Sequence, residues 1–194
     1  TLGKELPAKA LDEILTDHAE VFTELKEYYK QTSESDTTKI SFYEDTYSLY
    51  NLYRFAHYYE EAYGKYIWLK SGASLVIEHT EAMTVIDVNT GSVLKKKKQE
   101  DTLFYQINRE AAKEIARQLR LRNISGIIMI DFINMKDTAQ KEKLLSLLDS
   151  ECKKDRVHCN VIDMTALNLV EMTRSKVRKP LHEQIRSCMK NNRS

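Results

Sequence analysis

The segment from 82 to 131 constrains the fold more than any other part of the chain. Its end, 127–130, is a continuous apolar run that stops at Asp131, which is typical of a strand covered on both faces, as in a parallel sheet. Residues 82–88 favour another strand. Between them, an apolar residue recurs every four positions and predicts a helix over about 102–121. The ladder consists of Leu103, Ile107, Ala111, Ile115 and Leu119.

A strand–helix–strand crossover leaves its two strands parallel, so their carboxyl ends open on the same edge of the sheet. Asp87 and Asp131 lie at these two ends. Two carboxylates at close range repel unless a proton or a cation lies between them, and Mg²⁺ accepts one or two carboxylates together with water and phosphate oxygens. The pattern is compatible with a metal-assisted phosphodiester reaction. Spacing alone favours a structural interpretation of these aspartates, as helix caps or turn formers, over a metal site.

The rest of the chain predicts an α/β fold with a mixed sheet flanked by helices. A length of 194 residues, with 42% hydrophobic and 30% charged residues, fits one compact domain over 1–194. The polar segment 31–39 is predicted to be an internal loop, and 182–194 a C-terminal tail. Further strands are predicted at about 11–16, 39–43, 66–70 and 74–79, and helices at about 18–30 and 47–63.

Eight aromatic residues crowd positions 47–66. Helical spacing favours packing of most of these rings against a sheet, with tyrosine hydroxyls at the rim. Stacking on nucleic-acid bases is the alternative interpretation.

The charge balance argues against binding a polyanion through the whole surface, because 30 Lys and Arg face 29 Asp and Glu. Any polyanion must meet a local patch. Lys95, Lys96, Lys97 and Lys98 follow Asp87 closely enough to reach a phosphate backbone, although such runs are also common in solvated loops. No apolar stretch is long enough for a membrane span and no signal segment is present, so we expect a cytoplasmic protein with reduced cysteines.

Three segments, TEAMTVIDVNTG (80–91), 96–135 and MTALNLVEMTRSKVRKPL (164–181), resemble the catalytic region of the ribonuclease E/G family. The resemblance implies a deoxyribonuclease-I-like subdomain in which Asp87 and Asp131 bind the catalytic Mg²⁺. Asn89 matches the asparagine beside that metal. The implied activity is endonucleolytic hydrolysis of single-stranded RNA in RNA processing and decay, leaving a 5′-phosphate and a 3′-hydroxyl.

Some positions depart from the family pattern. Asn134 stands where the family usually has aspartate, and His158 where some members carry arginine. Cys188 offers one thiolate where the family has a Cys-x-x-Cys pair shared between protomers, so zinc-linked pairing is unsupported, while a homo-oligomer stays open. Cys152 and Cys159 are predicted to be buried or inert thiols at a helix end and a strand start, rather than metal ligands.

Residues 1–79 do not resemble the oligonucleotide-binding and 5′-end-sensing parts that precede this region in the family. We therefore expect a fragment with weak activity of its own. The alternatives are a non-catalytic RNA-binding or assembly module, and another Mg²⁺-dependent phosphoesterase.

Overall fold

The computed structural model describes residues 12–32, 38–91 and 100–191. The chain forms two compact units, residues 1–59 and residues 60–194. The single domain expected from the length stays a prediction. No helix in the described ranges is both long enough and apolar enough to cross a bilayer.

The first unit contains a small parallel pair of strands. Strand β1 (Glu13–Thr16) pairs in register with β2 (Lys39–Phe42), and helix α1 (Ala19–Thr32) lies between them in sequence. Helix α1 thus includes the first two residues of the predicted 31–39 loop, and β2 includes the last. Residues 33–37 lie outside the described part of the chain.

The sequence predicted one continuous helix over 47–63, and this prediction is wrong because the segment forms two helices. Helix α2 (Leu49–Leu52) begins after the N-cap Ser48, and α3 (Phe55–Tyr63) follows it. Arg54 separates them with a φ of 51°. A left-handed backbone residue cannot continue a right-handed helix, so the chain changes direction there.

The second unit is built on a mixed sheet, as predicted. Its described strands lie in the order β3-β4-β5-β6-β8-β7. Strands β5 and β6 run parallel, and the other neighbours run antiparallel. The strands are β3 (Tyr66–Trp68), β4 (Ser74–His79), β5 (Met83–Asn89), β6 (Gly126–Asp131), β7 (Cys159–Met164) and β8 (Leu169–Arg174).

Three helices complete this unit: α4 (Glu100–Leu121), α5 (Thr138–Cys152) and α6 (Leu181–Asn191). Helix α4 is the predicted crossover between β5 and β6. Helix α5 begins after Asp137, whose carboxylate accepts from the backbone N–H of Ala139. Helix α6 occupies most of the segment predicted to be a tail.

The core lies on one face of this sheet. All five residues of the predicted α4 ladder are buried, as are Leu144 and Leu148 of α5. They share one apolar cluster with alternate strand residues such as Ile86, Ile128 and Met172. Each fully buried side chain of this size contributes about 1.5–3 kcal/mol to stability. The crossover helix therefore fixes β5 beside β6.

The opposite face of the sheet is less buried. The alternation on β6 leaves Ile127 49% exposed while its neighbour Ile128 is fully buried. Asp87, Asn89 and Asp131 lie on the Ile127 face because residues two apart on a strand share a face. The candidate catalytic side chains thus lie on the face away from the core.

Candidate metal site

Asp87 and Asp131 are direct neighbours across the parallel pair. The register of β5 and β6 places them opposite each other as Cα partners, and adjacent strands lie about 4.8 Å apart. Asp131 is the last residue of β6, and Asp87 is two residues from the end of β5. The crossover that the sequence predicted therefore brings these two carboxylates together at the carboxyl edge.

Asn89 joins the pair from the same strand. Its side-chain Nδ2 donates to Asp87 Oδ2 at 2.7 Å. Because the side-chain nitrogen of Asn89 donates to that carboxylate, the side-chain oxygen points away from it and can accept a hydrogen bond from another group. This arrangement gives three oxygen-bearing side chains at one place on the sheet.

The electrostatics of the pair favour a cation. The pKa of Asp131 lies above its ordinary value, first because partial burial at the strand end penalises its charge and second because Asp87 carries a like charge. Asp131 still meets solvent on one side. A bound cation removes the repulsion that a proton would otherwise relieve.

The residues present fit Mg²⁺. Two carboxylates and an amide oxygen are hard donors, and Mg²⁺ in enzymes commonly takes one or two carboxylates and completes its shell with water and phosphate. Across the described ranges, no group of three or more His, Cys, Asp and Glu side chains forms a denser metal cluster.

The turns around the pair are held by residues that the sequence pattern does not mark. Gly91 has a φ of 56°, and a Cβ there would lie 2.6 Å from the carbonyl oxygen of Gly72. Only glycine lets the chain after β5 approach the β3–β4 turn so closely. Gly91 thereby fixes the path of the backbone two residues beyond Asn89.

Asn108 holds the segment on the other side of the site. It is fully buried in α4, where its Nδ2 donates to the carbonyl of Ile133 at 2.8 Å and its Oδ1 accepts from the N–H of Ile133 at 3.0 Å. This two-bond clasp ties α4 to the chain two residues after Asp131. In the sequence, the only hint of this role is that the polar Asn108 directly follows Ile107 of the apolar ladder.

Lys95 to Lys98, the predicted RNA-backbone contacts, lie outside the described residues, and their role stays a prediction. Two other basic residues lie inside the protein. Arg174 is buried and donates to Asp155 Oδ2 at 2.9 Å. Arg122 is also buried, and it donates to Gln118 and to the carbonyl of Glu61. These two arginines support the fold rather than a surface patch.

Cys152 and Cys159 lie at the helix end and the strand start that the sequence predicted. Cys152 ends α5 and is buried, and Cys159 begins β7. The Cys152 thiol donates a hydrogen bond to Cys159, and this bond together with burial raises the pKa of Cys152. The same bond, with Arg174 nearby, lowers the pKa of Cys159. A protonated buried thiol is a poor metal ligand. Asn134 and His158 are both exposed, and the side chain of Cys188 lies outside the described part.

The prediction that most of the aromatic rings of 47–66 pack against a sheet is wrong. All eight are exposed: Tyr47, Tyr50, Tyr53, Phe55, Tyr58, Tyr59, Tyr63 and Tyr66. Several contact each other instead, and the ring centroids of Tyr50 and Tyr59 lie 6.3 Å apart in a stacked arrangement. Helical spacing identifies a shared face but does not show whether another layer covers it.

The fold and site define a class: an α/β protein whose parallel strand pair carries two adjacent carboxylates at its carboxyl edge. Comparison with known proteins gives the family. The ribonuclease E/G family model matches residues 2–177. The chain is 38% identical over 171 residues to ribonuclease G of Escherichia coli strain K12, covering 88% of this chain and 35% of that protein.

Other relatives agree. Ribonuclease G of Haemophilus influenzae is 39% identical over 171 residues, covering 88% of this chain and 35% of that protein. Ribonuclease E of Nostoc is 34% identical over 176 residues, covering 89% of this chain and 26% of that protein. The chain belongs to the ribonuclease E/G family, and it spans about a third of the length of these ribonuclease G relatives.

Proposed function

We propose that this chain carries the catalytic residues of an Mg²⁺-dependent endoribonuclease that hydrolyses phosphodiester bonds in single-stranded RNA during cytoplasmic RNA processing and decay. The observation that carries the proposal is the direct pairing of Asp87 with Asp131, with Asn89 hydrogen-bonded to Asp87. The family names of the relatives support RNA as the substrate.

In this proposal Asp87 and Asp131 would hold the metal through their carboxylates. When bound, Mg²⁺ supplies positive charge that offsets the negative charge developing on the phosphate in the transition state. Asn89 is an orienting group and not a base, because an amide does not take up a proton at neutral pH. Its oxygen can accept a hydrogen bond from the attacking water while its nitrogen donates to Asp87.

The reaction is a hydrolysis. The water oxygen forms a bond to phosphorus, the bond from phosphorus to the 3′-oxygen breaks, and that oxygen takes a proton. The products are a 5′-phosphate and a 3′-hydroxyl. We expect turnover by the 194-residue chain to be slow, because its near-neutral charge, +1, holds a polyanion weakly and positioning is a large part of catalysis.

The test is cleavage of a labelled single-stranded oligoribonucleotide with and without Mg²⁺. Asp87→Asn and Asp131→Asn should each lower kcat/KM at least about a hundredfold, because each removes a charge that holds the cation. Asp163→Asn is the matched control, since Asp163 is exposed on β7 of the same sheet.

Three results discriminate the alternatives. RNA binding without any Mg²⁺-dependent cleavage would identify a binding or assembly module instead. Hydrolysis of small nucleotides but not of the oligonucleotide would identify a different phosphoesterase. Full activity in either aspartate variant would remove that residue from the site.

A further inference from the structure

Strand β3, at the edge of the sheet, presents two aromatic rings to solvent. Tyr66 is 60% exposed and Trp68 is 72% exposed, whereas Ile67 between them is buried in the core. Residues two apart on a strand share a face, so these two rings form one exposed aromatic surface on a hydrogen-bonded strand.

The strand register connects Tyr66 to the candidate metal site. Tyr66 pairs with Val76, and Val76 pairs with Asp87. Asp87 in turn pairs with Asp131. Directly paired residues on neighbouring strands project to the same face of a sheet. Tyr66 therefore lies in one row with both carboxylates, two strand spacings or roughly 10 Å from Asp87.

The register places Trp68 in the next row of the same face. Trp68 pairs with Ser74, and Ser74 pairs with Asn89. The two rings thus stand beside the two site residues of β5, with only the short side chains of β4 between them. A strand of RNA with its phosphate at the carboxylates can extend a neighbouring nucleotide over these rings.

The charges next to Trp68 suit a polyanion. Trp68 also borders a groove of about 460 Å³ at the edge of the sheet, on the α4 side of β3, which contains Lys70 and Lys113. The acidic side chains of that groove are engaged within the protein. Arg117 pairs with Glu61 and Glu114, and Glu110 accepts from the backbone N–H groups of Lys70 and Ser71.

Lys70 and Lys113 form no ion pair with any other described residue. The Lys65 ammonium lies 5.7 Å from the centroid of the Tyr66 ring, but it is paired with Glu78. The ammonium groups of Lys70 and Lys113 can approach the phosphate of a nucleotide that reaches the edge of the sheet at β3.

We propose that Tyr66 and Trp68 form a base-stacking site for a nucleotide that flanks the scissile phosphodiester, an assignment that rests on the proposed function. Every base has a π-face, so this site accepts different bases. A base held in a duplex cannot place its face on a protein ring without unstacking. The pair therefore makes the site selective for single strands.

The chain contains one tryptophan, so fluorescence excited at a wavelength that tryptophan absorbs and tyrosine does not reports on Trp68 alone. The experiment uses the Asp131→Asn variant, in which the RNA is not cut. A single-stranded oligoribonucleotide should quench the emission and protect it from acrylamide. The same strand with abasic positions should do neither, and nor should its duplex.

Substitutions test the same site in the cleaving protein. Trp68→Ala should weaken oligonucleotide binding, measured by anisotropy of labelled RNA, between about fivefold and about a hundredfold. It should raise KM by a similar factor while kcat at saturation changes little. Trp68→Phe should retain most of the affinity because it keeps a ring. The matched control is Tyr47→Ala, since Tyr47 is 56% exposed and lies outside the row.

Several results would overturn the base-stacking site. One is equal quenching by the abasic strand, and another is unchanged binding and KM in Trp68→Ala. A third is a Trp68 signal that follows protein concentration rather than RNA, with a change of sedimentation in Trp68→Ala, because that would show a protein partner on this face. Base-dependent quenching in a chain that lacks Mg²⁺-dependent cleavage would instead reject the proposed function and leave the site standing.

Discussion

At the scale of single residues, the charge on Asp131 costs stability when no cation is present. Its pKa is raised by partial burial and by the neighbouring Asp87, so the folded state disfavours the ionised form. We expect Asp131→Asn, without metal, to unfold at the same temperature as the parent or a few degrees higher.

Metal addition should reverse that order. Mg²⁺ binds the folded parent and raises its unfolding temperature by mass action, but it should shift Asp131→Asn little. Thermal unfolding with Mg²⁺ and with the chelator alone measures both effects. An equal Mg²⁺-dependent shift in parent and variant would show that the cation binds elsewhere.

His79 supplies a second prediction at this scale. Its ring stacks on that of His182 at a centroid distance of 3.8 Å, and its Nδ1 lies 3.0 Å from Thr84 Oγ1. Burial, then the charge of His182 and then that of Arg122 lower the pKa of His79 from 6.5 to about 4.

His79 therefore binds a proton more tightly in the unfolded chain than in the folded one. The contribution of His79 to stability is complete above pH 6.5 and is lost as the pH falls from 6.5 towards 4. Denaturant unfolding at neutral pH and at about pH 5 should show a smaller loss in His79→Phe than in the parent. His158→Phe, an exposed histidine, is the control, and an identical loss in all three proteins would contradict the assignment.

At the scale of elements, the clasp between Asn108 and Ile133 should couple α4 to the site. Asn108→Ala leaves the N–H and carbonyl of Ile133 unpaired, which should lower the free energy of unfolding by about 1–3 kcal/mol. It should also lower kcat, because the chain after Asp131 loses its anchor. Ile115→Val is the matched control, since it should cost about 0.5–1.5 kcal/mol in the same helix without affecting kcat.

The elements also show what local sequence pattern can predict. The α4 ladder and the β5–β6 crossover were predictable because both depend on local periodicity and on one handedness rule. The break at Arg54 was not, since no glycine, proline or asparagine marks that left-handed residue. The order β6-β8-β7 was not predicted either, because antiparallel pairing between distant segments leaves no local periodic signal.

The candidate site divides in the same way. The pairing of Asp87 with Asp131 follows from the crossover, and the resemblance pointed to Asn89. The roles of Asn108 and Gly91 depend on which loops meet in space, which spacing does not show. The exposure of the Tyr66 ring was missed for a related reason, because the pattern identifies a face but not its covering.

At the scale of the whole molecule, charge should decide how this chain holds RNA. Its 30 basic residues nearly balance its 29 acidic ones, so affinity must come from local contacts and should be strongly reduced by salt. For single strands, log K falls with log salt concentration with a slope of about 0.7 for each phosphate neutralised. The slope therefore counts the contacts.

Lys95 to Lys98 are the sequence-predicted contacts, and replacing all four by alanine tests them. If each meets one phosphate, the salt slope should flatten by up to about 3 and binding should weaken for every RNA sequence alike. The control replaces Lys153 and Lys154, which pair with Asp149 and Glu151 at the end of α5, and it should leave the slope unchanged. An unchanged slope in the fourfold variant would assign this run to a solvated loop. In that case we expect the lysines near Trp68 to contact the phosphates, and Lys70→Ala and Lys113→Ala should each flatten the salt slope.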